Sequence, residues 1–256
     1  MKASLFIFPT FLVFCAPALH AQVFTGDGDW FDTARWDTGI VPGDNSFVTV
    51  NGNASIASDI AAATGENPGN ITIGDGVDGS ITVTGGTVSG ANFGGGAGGG
   101  VFVGLNGGSG MLTVNQGATF RSQGGGMPLQ IGDNAGGVGF VSVLGEFQNY
   151  KLMNLINGTL EMHPSAINNK FNSNDQSTIG AGGTLSYIID GSQVGALLRS
   201  NATGLVMAID PAATLKITLG GSFALNDSWT LMSYTTLTVQ FAQGTTFINE
   251  QGAGIC

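Results

Sequence analysis

Base-assisted nucleophilic catalysis runs most often through histidine, and this chain has two, His20 and His163. His20 falls in an N-terminal segment expected to be removed, which leaves His163 as the one imidazole on which a Ser- or Cys-based relay could be built. It precedes Pro164 at an expected strand end, where a structural role is the preferred reading. Glycoside cleavage needs paired carboxylates, or carboxylates with a cation, gathered on one face. The candidates are Glu146, Asp175 and Asp190, with Lys151 and Lys170 near them in sequence. They do not recur at a common interval, so nothing obliges them to share a face.

Metal chemistry is poorly served. One histidine and a terminal Cys256 cannot fill a tetrahedral zinc shell. Gly26-Asp27-Gly28-Asp29 and Gly74-Asp75-Gly76-Val77-Asp78-Gly79 place oxygen donors close together, as calcium requires. Neither has the EF-hand order or the repeat of calcium-binding β-rolls. Asp in a Gly-rich turn is also ordinary turn chemistry, so the expectation is no cofactor, with calcium as the minor alternative. The run from Gly94 to Gly100 lacks the Lys-Ser/Thr ending of a phosphate loop and reads as an insertion at one corner. Trp30, Phe31 and Trp36 have two uses. They could offer a sugar-stacking platform, with Trp30 and Trp36 as glycan contacts. Alternatively they close the end of a stack of strands, which is preferred because such an end exposes strand edges and open core.

The elements that must position these residues repeat. Ile73-Gly74-Asp75-Gly76 leads to Ser80-Ile81-Thr82-Val83. Val103-Gly104-Leu105-Asn106 leads to Met111-Leu112-Thr113-Val114, and Ile131-Gly132-Asp133-Asn134 to Phe140-Val141-Ser142-Val143. Thirty residues separate Gly74 from Gly104, and twenty-eight separate Gly104 from Gly132. A shorter third stretch follows each copy: Thr87-Val88, Thr119-Phe120 and Glu146-Phe147. A period of roughly 20–50 residues marks a stacked solenoid. The turn between the paired strands lengthens from copy to copy while the strand pattern holds, as surface turns allow and strand registers do not. The expected fold is all-β: a right-handed parallel β-helix (β-solenoid) with an N-terminal cap and a strand-rich C-terminal continuation. Gly74, Gly104 and Gly132 should stack at one corner. Ile81/Val83, Leu112/Val114 and Val141/Val143 should stack inside, with Thr82, Thr113 and Ser142 outward.

Composition fits. Gly contributes 44 of 256 residues, far above the usual level of roughly 7%, yet no Gly-X-Y period suggests collagen. The hydrophobic fraction of 42% is too high for a disordered linker. The net charge is −10 and the few cations look scattered, which argues against nucleic acid and anionic membranes as partners.

Lys2, the apolar run from Leu5 to Phe14 and the small-residue stretch ending at Ala21 read as a signal peptide. The run is too short for a comfortable membrane span. Lipidation at Cys15 is disfavoured by Phe14 before it. Without Cys15 no internal disulfide framework is available, which suits a bacterial envelope. The expected organisation is signal 1–21, N-terminal capping segment 22–70, β-helix repeats 71–178, and a C-terminal β-strand region 179–256 that is expected to be cut short at Cys256.

The stretch from Val103 to Phe120 resembles the repeat of autotransporter (type V secretion) passengers and PEP-CTERM-associated exported proteins. The Trp30, Ala34-Arg35-Trp36 and Val41-Pro42-Gly43-Asp44 segment is similar to the module that often opens such repeats. The tail through Gly220-Gly221-Ser222-Phe223 and Asp227-Ser228-Trp229 resembles the strand-rich end of PEP-CTERM proteins. This resemblance implies an exported bacterial protein, extracellular or on the outer surface, usually without an assigned reaction. The expected function is a non-catalytic structural or adhesin-like surface protein that meets extracellular glycans or other surface components. The alternatives are a β-helix lyase or hydrolase acting on polysaccharide, and an ice-binding surface on the Thr82, Thr113 and Ser142 ladder.

Overall fold

In the computed structural model, the described residues are 21–43, 46–60, 68–90, 100–122, 129–149, 153–166, 170–171, 177–190, 198–200, 206–220, 231–233 and 236–237. The segment before Ala21 that reads as a signal peptide, the insertion from Gly94 as far as Gly99, Lys151, Asp175 and the chain end at Cys256 lie outside them. β1 (Gln22–Asp29) and β2 (Phe47–Ile56) come first. Three coils of three strands follow. They are β3 (Asn70–Asp75), β4 (Gly79–Val83) and β5 (Thr87–Gly90); β6 (Val101–Leu105), β7 (Ser109–Val114) and β8 (Thr119–Ser122); β9 (Leu129–Ile131), β10 (Val138–Val143) and β11 (Glu146–Asn149). Longer strands then return: β12 (Met153–Met162) with β13 (Lys170–Phe171), and β14 (Ser177–Ile189) with β15 (Leu198–Ser200). The last are β16 (Val206–Ile209), β17 (Thr214–Leu219), β18 (Met232–Ser233) and β19 (Thr236–Leu237). Every strand ladder is parallel, and among the described residues there is no α-helix. The chain is a parallel β-solenoid.

Three ladders run along it. The first joins β3, β6, β9 and β16 to the leading halves of β2, β12 and β14. The second joins β4, β7, β10 and β17 to their trailing halves, and the third joins β5, β8, β11, β13, β15 and β18. Parallel in-register pairing stacks like on like, so apolar positions form continuous interior columns. Phe24, Val50, Ile73, Val103, Ile131, Leu155, Ile179 and Ile209 form one across eight strands. All eight are buried. Ala54, Ile81, Leu112, Val141, Leu160 and Leu185 form another. On the third ladder Phe120 lies flat over Phe147, with centroids 5.6 Å apart and planes 4° from parallel. Each large side chain so buried stabilises the fold by about 1.5–3 kcal/mol.

The expected corner forms. Gly74, Gly104 and Gly132 have φ of 71°, 75° and 70°, a region that costs any side chain with a Cβ. The flanking pairs Ile73 with Val103 and Val103 with Ile131 stack them on one another. A second glycine column, not anticipated from the sequence, stands beside it: Gly79, Gly110, Gly139, Gly158 and Gly183 in direct register. A Cβ added at any of the five would fall within 3.0 Å of backbone atoms of a neighbouring strand.

The segment read as a cap is itself partly coil. β2 is a full member of the first two ladders and turns the corner at Asn51-Gly52 without a loop. β12 does the same at Asn157-Gly158. Capping falls to β1 and the turn after it. Phe24, Trp30 and Trp36 meet edge to face, with Trp36 5.1 Å from Phe24 and 4.8 Å from Trp30. The Trp36 indole N–H donates to the Trp30 carbonyl at 2.8 Å. The 3-10 turn Thr33–Arg35 is held by the Asp32 carboxylate, which accepts from Ala34 N at 3.0 Å. The turn returns the chain to the outer edge of β1. There the Val23 N–H donates to the Asp37 carboxylate at 2.9 Å, and the Val23 carbonyl accepts from Asp37 N at 3.0 Å. The first edge is thereby closed against further strand addition.

Two interior positions among the described residues break the apolar rule: Ser177, whose hydroxyl accepts from Met153 N at 3.1 Å, and Tyr187. Tyr187 continues the column of Val143 and Met162, fully buried, and among the described residues its hydroxyl has no hydrogen-bond partner. Burial pushes the phenol well above its ordinary pKa. An orphaned buried hydroxyl carries its full desolvation cost. Tyr187→Phe is therefore expected to raise stability by about 1 kcal/mol, read as a higher urea midpoint at unchanged slope. A lower midpoint would mean that the hydroxyl is satisfied after all.

Candidate functional site

The densest polar chemistry lies on the outer side of the second ladder. Ser55, Thr82, Thr113, Ser142, Glu161, Ser186 and Lys216 follow one another in register. Alternation with the buried Ile81/Val83, Leu112/Val114 and Val141/Val143 puts this column outside. His163 follows β12 by one residue and lies across Glu161. Its Nε2 is 3.0 Å from Glu161 Oε1 and 3.2 Å from Ser142 Oγ. Ser142 Oγ and Ser186 Oγ each lie 3.4 Å from a Glu161 oxygen. Ser142 and Ser186 are nearly buried, 6% and 1% exposed.

A serine, a histidine and a carboxylate in contact invite comparison with a catalytic triad, and the atoms decide against it. A triad uses both imidazole nitrogens, one toward the serine and the other toward the acid. Here a single nitrogen, Nε2, faces both. With its proton, Nε2 donates to Glu161 and cannot accept from Ser142. Without it, two lone pairs would confront each other across 3.0 Å. The stable arrangement leaves Ser142 without a base. Glu161 instead collects donors from β10, β14 and its own strand, clasping three successive coils.

Glu146 stands apart at the next corner, in a shallow cleft of about 360 Å³ with Gln116, Thr119 and Ser165. It accepts from Thr119 Oγ1 at 3.4 Å and from the Gln148 side-chain amide. Among the described residues lining that cleft it is the sole acid, whereas glycoside cleavage draws on two. Asp190 follows the end of β14 and is engaged by a neighbour. Nothing among the described residues joins it to Glu146.

At the first corner the acidic turns are knitted to amides. Asn106 Nδ2 donates to Asp75 Oδ1 at 2.6 Å, and the Asn106 N–H donates to Asp133 Oδ2 at 2.6 Å. Asn53 Nδ2 donates to Asp27 Oδ1 at 2.6 Å. Among the described residues no three of His, Cys, Asp and Glu are grouped to hold a metal ion. Partial burial opposes ionisation of Asp133. The backbone N–H groups of Asn106, Gly137 and Ala135 together outweigh it and hold its carboxyl below the ordinary Asp pKa. A depressed folded-state pKa contributes stability that is complete above the unfolded value of about 3.9 and lost as pH falls through the folded value. Asp133→Ala should thus cost about 1 kcal/mol at neutral pH, with the difference from wild type shrinking in acid. A difference independent of pH would refute the assignment.

Trp30 and Trp36, the candidate glycan contacts, are brought together but inside, at 0% and 3% exposure. Stacking on a sugar needs a ring face in solvent, so the pair closes the solenoid end rather than offering a platform. The Thr82, Thr113 and Ser142 ladder has the expected register, but Met111 and Phe140 occupy the neighbouring outer column and interrupt a flat hydroxyl surface.

The cations require a correction. They look scattered in sequence, yet on the third ladder Arg121 pairs with Gln148, Gln148 with Lys170 and Lys170 with Arg199. Three of the chain's seven Lys and Arg residues share one column. Coil length varies between them, so no fixed interval announces it.

Compared with protein-family models, with curated proteins and with solved structures, the chain gives no match. Among the described residues no helix is long and apolar enough to cross a membrane.

Proposed function

We propose that this chain is an exported, non-catalytic surface module of the adhesin or matrix kind, in which the solenoid holds an extended face toward other surface components. The observation that supports this most directly is the Ser142, Glu161 and His163 geometry. The one serine–histidine–acid group among the described residues is wired as a clasp, with its shared nitrogen committed to the carboxylate. The signal-like N-terminus supplies the export part of the reading.

Purified protein incubated with acidic and neutral polysaccharides, with and without calcium, is expected to release no new reducing ends and no unsaturated products. Turnover abolished by Glu146→Gln or Asp175→Asn would replace this reading with that of a polysaccharide lyase or hydrolase. Export is checked separately. Expressed from its own start in a Gram-negative host, the secreted protein should begin at Gln22 by N-terminal sequencing. Retention in the cytoplasm with an intact N-terminus would overturn it.

A further inference from the structure

We propose that the outer face of the second ladder is a homodimer interface. Two copies pack there face to face with their rods antiparallel, about a two-fold axis lying between β7 and β10. The proposal stands independently of the surface-module reading and adds a partner to it, a second copy of this chain.

The face is defined by register. One outer column runs from Asp27 on β1 through Met111 and Phe140 to Thr214 on β17. Beside it another runs from Asp29 through Thr113 and Ser142 to Lys216. Eight strands contribute, and Met111 and Phe140 are the fourth and fifth rungs. The middle of the face is its apolar part. Met111 is 41% exposed, and Val138, two residues before Phe140 on β10, is 47% exposed. Phe140 stands half-buried beside them. The other exposed large apolar side chains among the described residues, Ile40 and Val77, lie off the strands. The hydroxyls of Thr82, Thr113 and Thr159 surround the centre. An apolar centre within a polar rim is the anatomy of a protein–protein contact.

A two-fold parallel to the strands through this centre reverses the order of the coils and leaves the columns aligned. Because the axis lies midway among the rungs, the whole face overlaps the whole face of the second copy. Met111 meets the partner's Phe140, and Thr82 meets the partner's Glu161. At the ends Asp29 meets the partner's Lys216, and Asp27 meets the partner's Thr214. No like charges oppose each other in either column. A two-fold along the rod would instead lay every coil on itself and bring the Asp27 and Asp29 carboxylates of both copies together, in a chain whose net charge is already −10. Exposed ion pairs add little energy. The meeting of Asp29 with Lys216 therefore sets direction and register, and the apolar centre supplies the attraction.

The area is sufficient. Adjacent strands lie about 4.8 Å apart, and residues advance about 3.3 Å along a strand. Eight strands contributing about five residues each give a face of roughly 38 by 17 Å. Two such faces bury about 1,300 Å² on contact, inside the range of roughly 1,200–2,000 Å² for specific interfaces. Packed sheets keep their strand directions within about 30° of each other, which a two-fold along the strands permits. A dissociation constant on the order of micromolar fits the low end of that size range.

The test is sedimentation equilibrium of the purified protein across a concentration series, kept reduced so that Cys256 cannot link copies. A monomer–dimer equilibrium is expected. Met111→Lys/Phe140→Lys sets like charges against each other across the axis and should weaken association about tenfold or more. Val77→Lys, at an exposed apolar residue off the face, should change it less than about twofold. If the double variant loses its β circular dichroism, Met111→Lys alone carries the test, with an expected loss of about threefold or more. The arrangement is read from a spin label on Thr214→Cys in a Cys256→Ser background. Antiparallel rods hold the two labels about 35 Å apart, whereas coils laid on themselves hold them about 10 Å apart. A monomer at every concentration, an assembly indifferent to the face variants, an equal loss in Val77→Lys or the short label distance would each overturn the proposal. A monomer that instead binds cellohexaose, and loses it in Met111→Lys, would assign the face to a neutral glycan and likewise overturn the dimer.

Discussion

Leu112→Asp should abolish the folded solenoid or leave it too unstable to accumulate, while Thr113→Asp, one residue away, should leave it nearly intact. Leu112 lies in the middle of an interior column, stacked between Ile81 and Val141 and fully buried. The substitution forfeits about 1.5–3 kcal/mol of apolar burial. It also forces a carboxyl, charged or protonated, into a site with no donor, for a further ~2 kcal/mol or more at the low end. The total approaches the roughly 5–15 kcal/mol that holds a typical domain together. Thr113 faces the other way, between Thr82 and Ser142. A carboxylate there meets water, and the expected change is about 0.5 kcal/mol. Far-UV circular dichroism and soluble yield of the two variants check the pair. Equal effects would mean that the inward and outward assignments are wrong.

Gly110→Ala is expected to cost about 3 kcal/mol or more, although alanine is the smallest possible change. A Cβ at Gly110 would overlap the backbone nitrogen of Gly104 and the carbonyl oxygen of Ile73. Backbone atoms of two paired strands cannot give way as a side-chain tip does. Gly107→Ala makes the useful contrast. Gly107 has φ of 82°, and a Cβ added there would meet nothing within 4 Å, so its penalty is conformational alone, about 1–2 kcal/mol. Urea midpoints should rank wild type above Gly107→Ala, and Gly107→Ala above Gly110→Ala. The reverse order would show that torsion, rather than close approach, makes the second glycine column necessary.

The legible part of the sequence was the part that repeats with its corner loop. Gly74, Gly104 and Gly132 could be aligned because each begins a polar loop and is followed by the same apolar–hydroxyl–apolar strand. β2, β12 and β14 are coils of the same kind, but a bare Asn-Gly or a glycine pair turns their corner. Without the loop they read as long single strands. Asn-Gly between strands ordinarily suggests a hairpin, and here it bends one strand in a parallel stack. The aromatic pair at the N-terminus could not be decided from residue type, since a cap and a sugar platform want the same side chains. Burial settles the matter. The Ser142, Glu161 and His163 clasp was hidden because its members lie on two coils whose lengths differ. The basic column was hidden for the same reason, since Arg121, Lys170 and Arg199 align only once the intervening coils are wound.

Because Asp37 closes the outer edge of β1, the rod has a finished end and a direction. Each later coil lays its strands on one already formed, closing on the second ladder a loop of 19 to 31 residues (Val141 to Leu160 the shortest, Ile81 to Leu112 the longest) whatever the length of the rod. The entropy of closure grows only with the logarithm of loop size, so the tenth rung would cost no more to add than the third. Assembly can therefore proceed as a ratchet from the sealed end, in the order in which the chain is made. A duplicated coil lengthens such a rod without disturbing what lies beneath it, which gives the architecture an inexpensive route to variable reach.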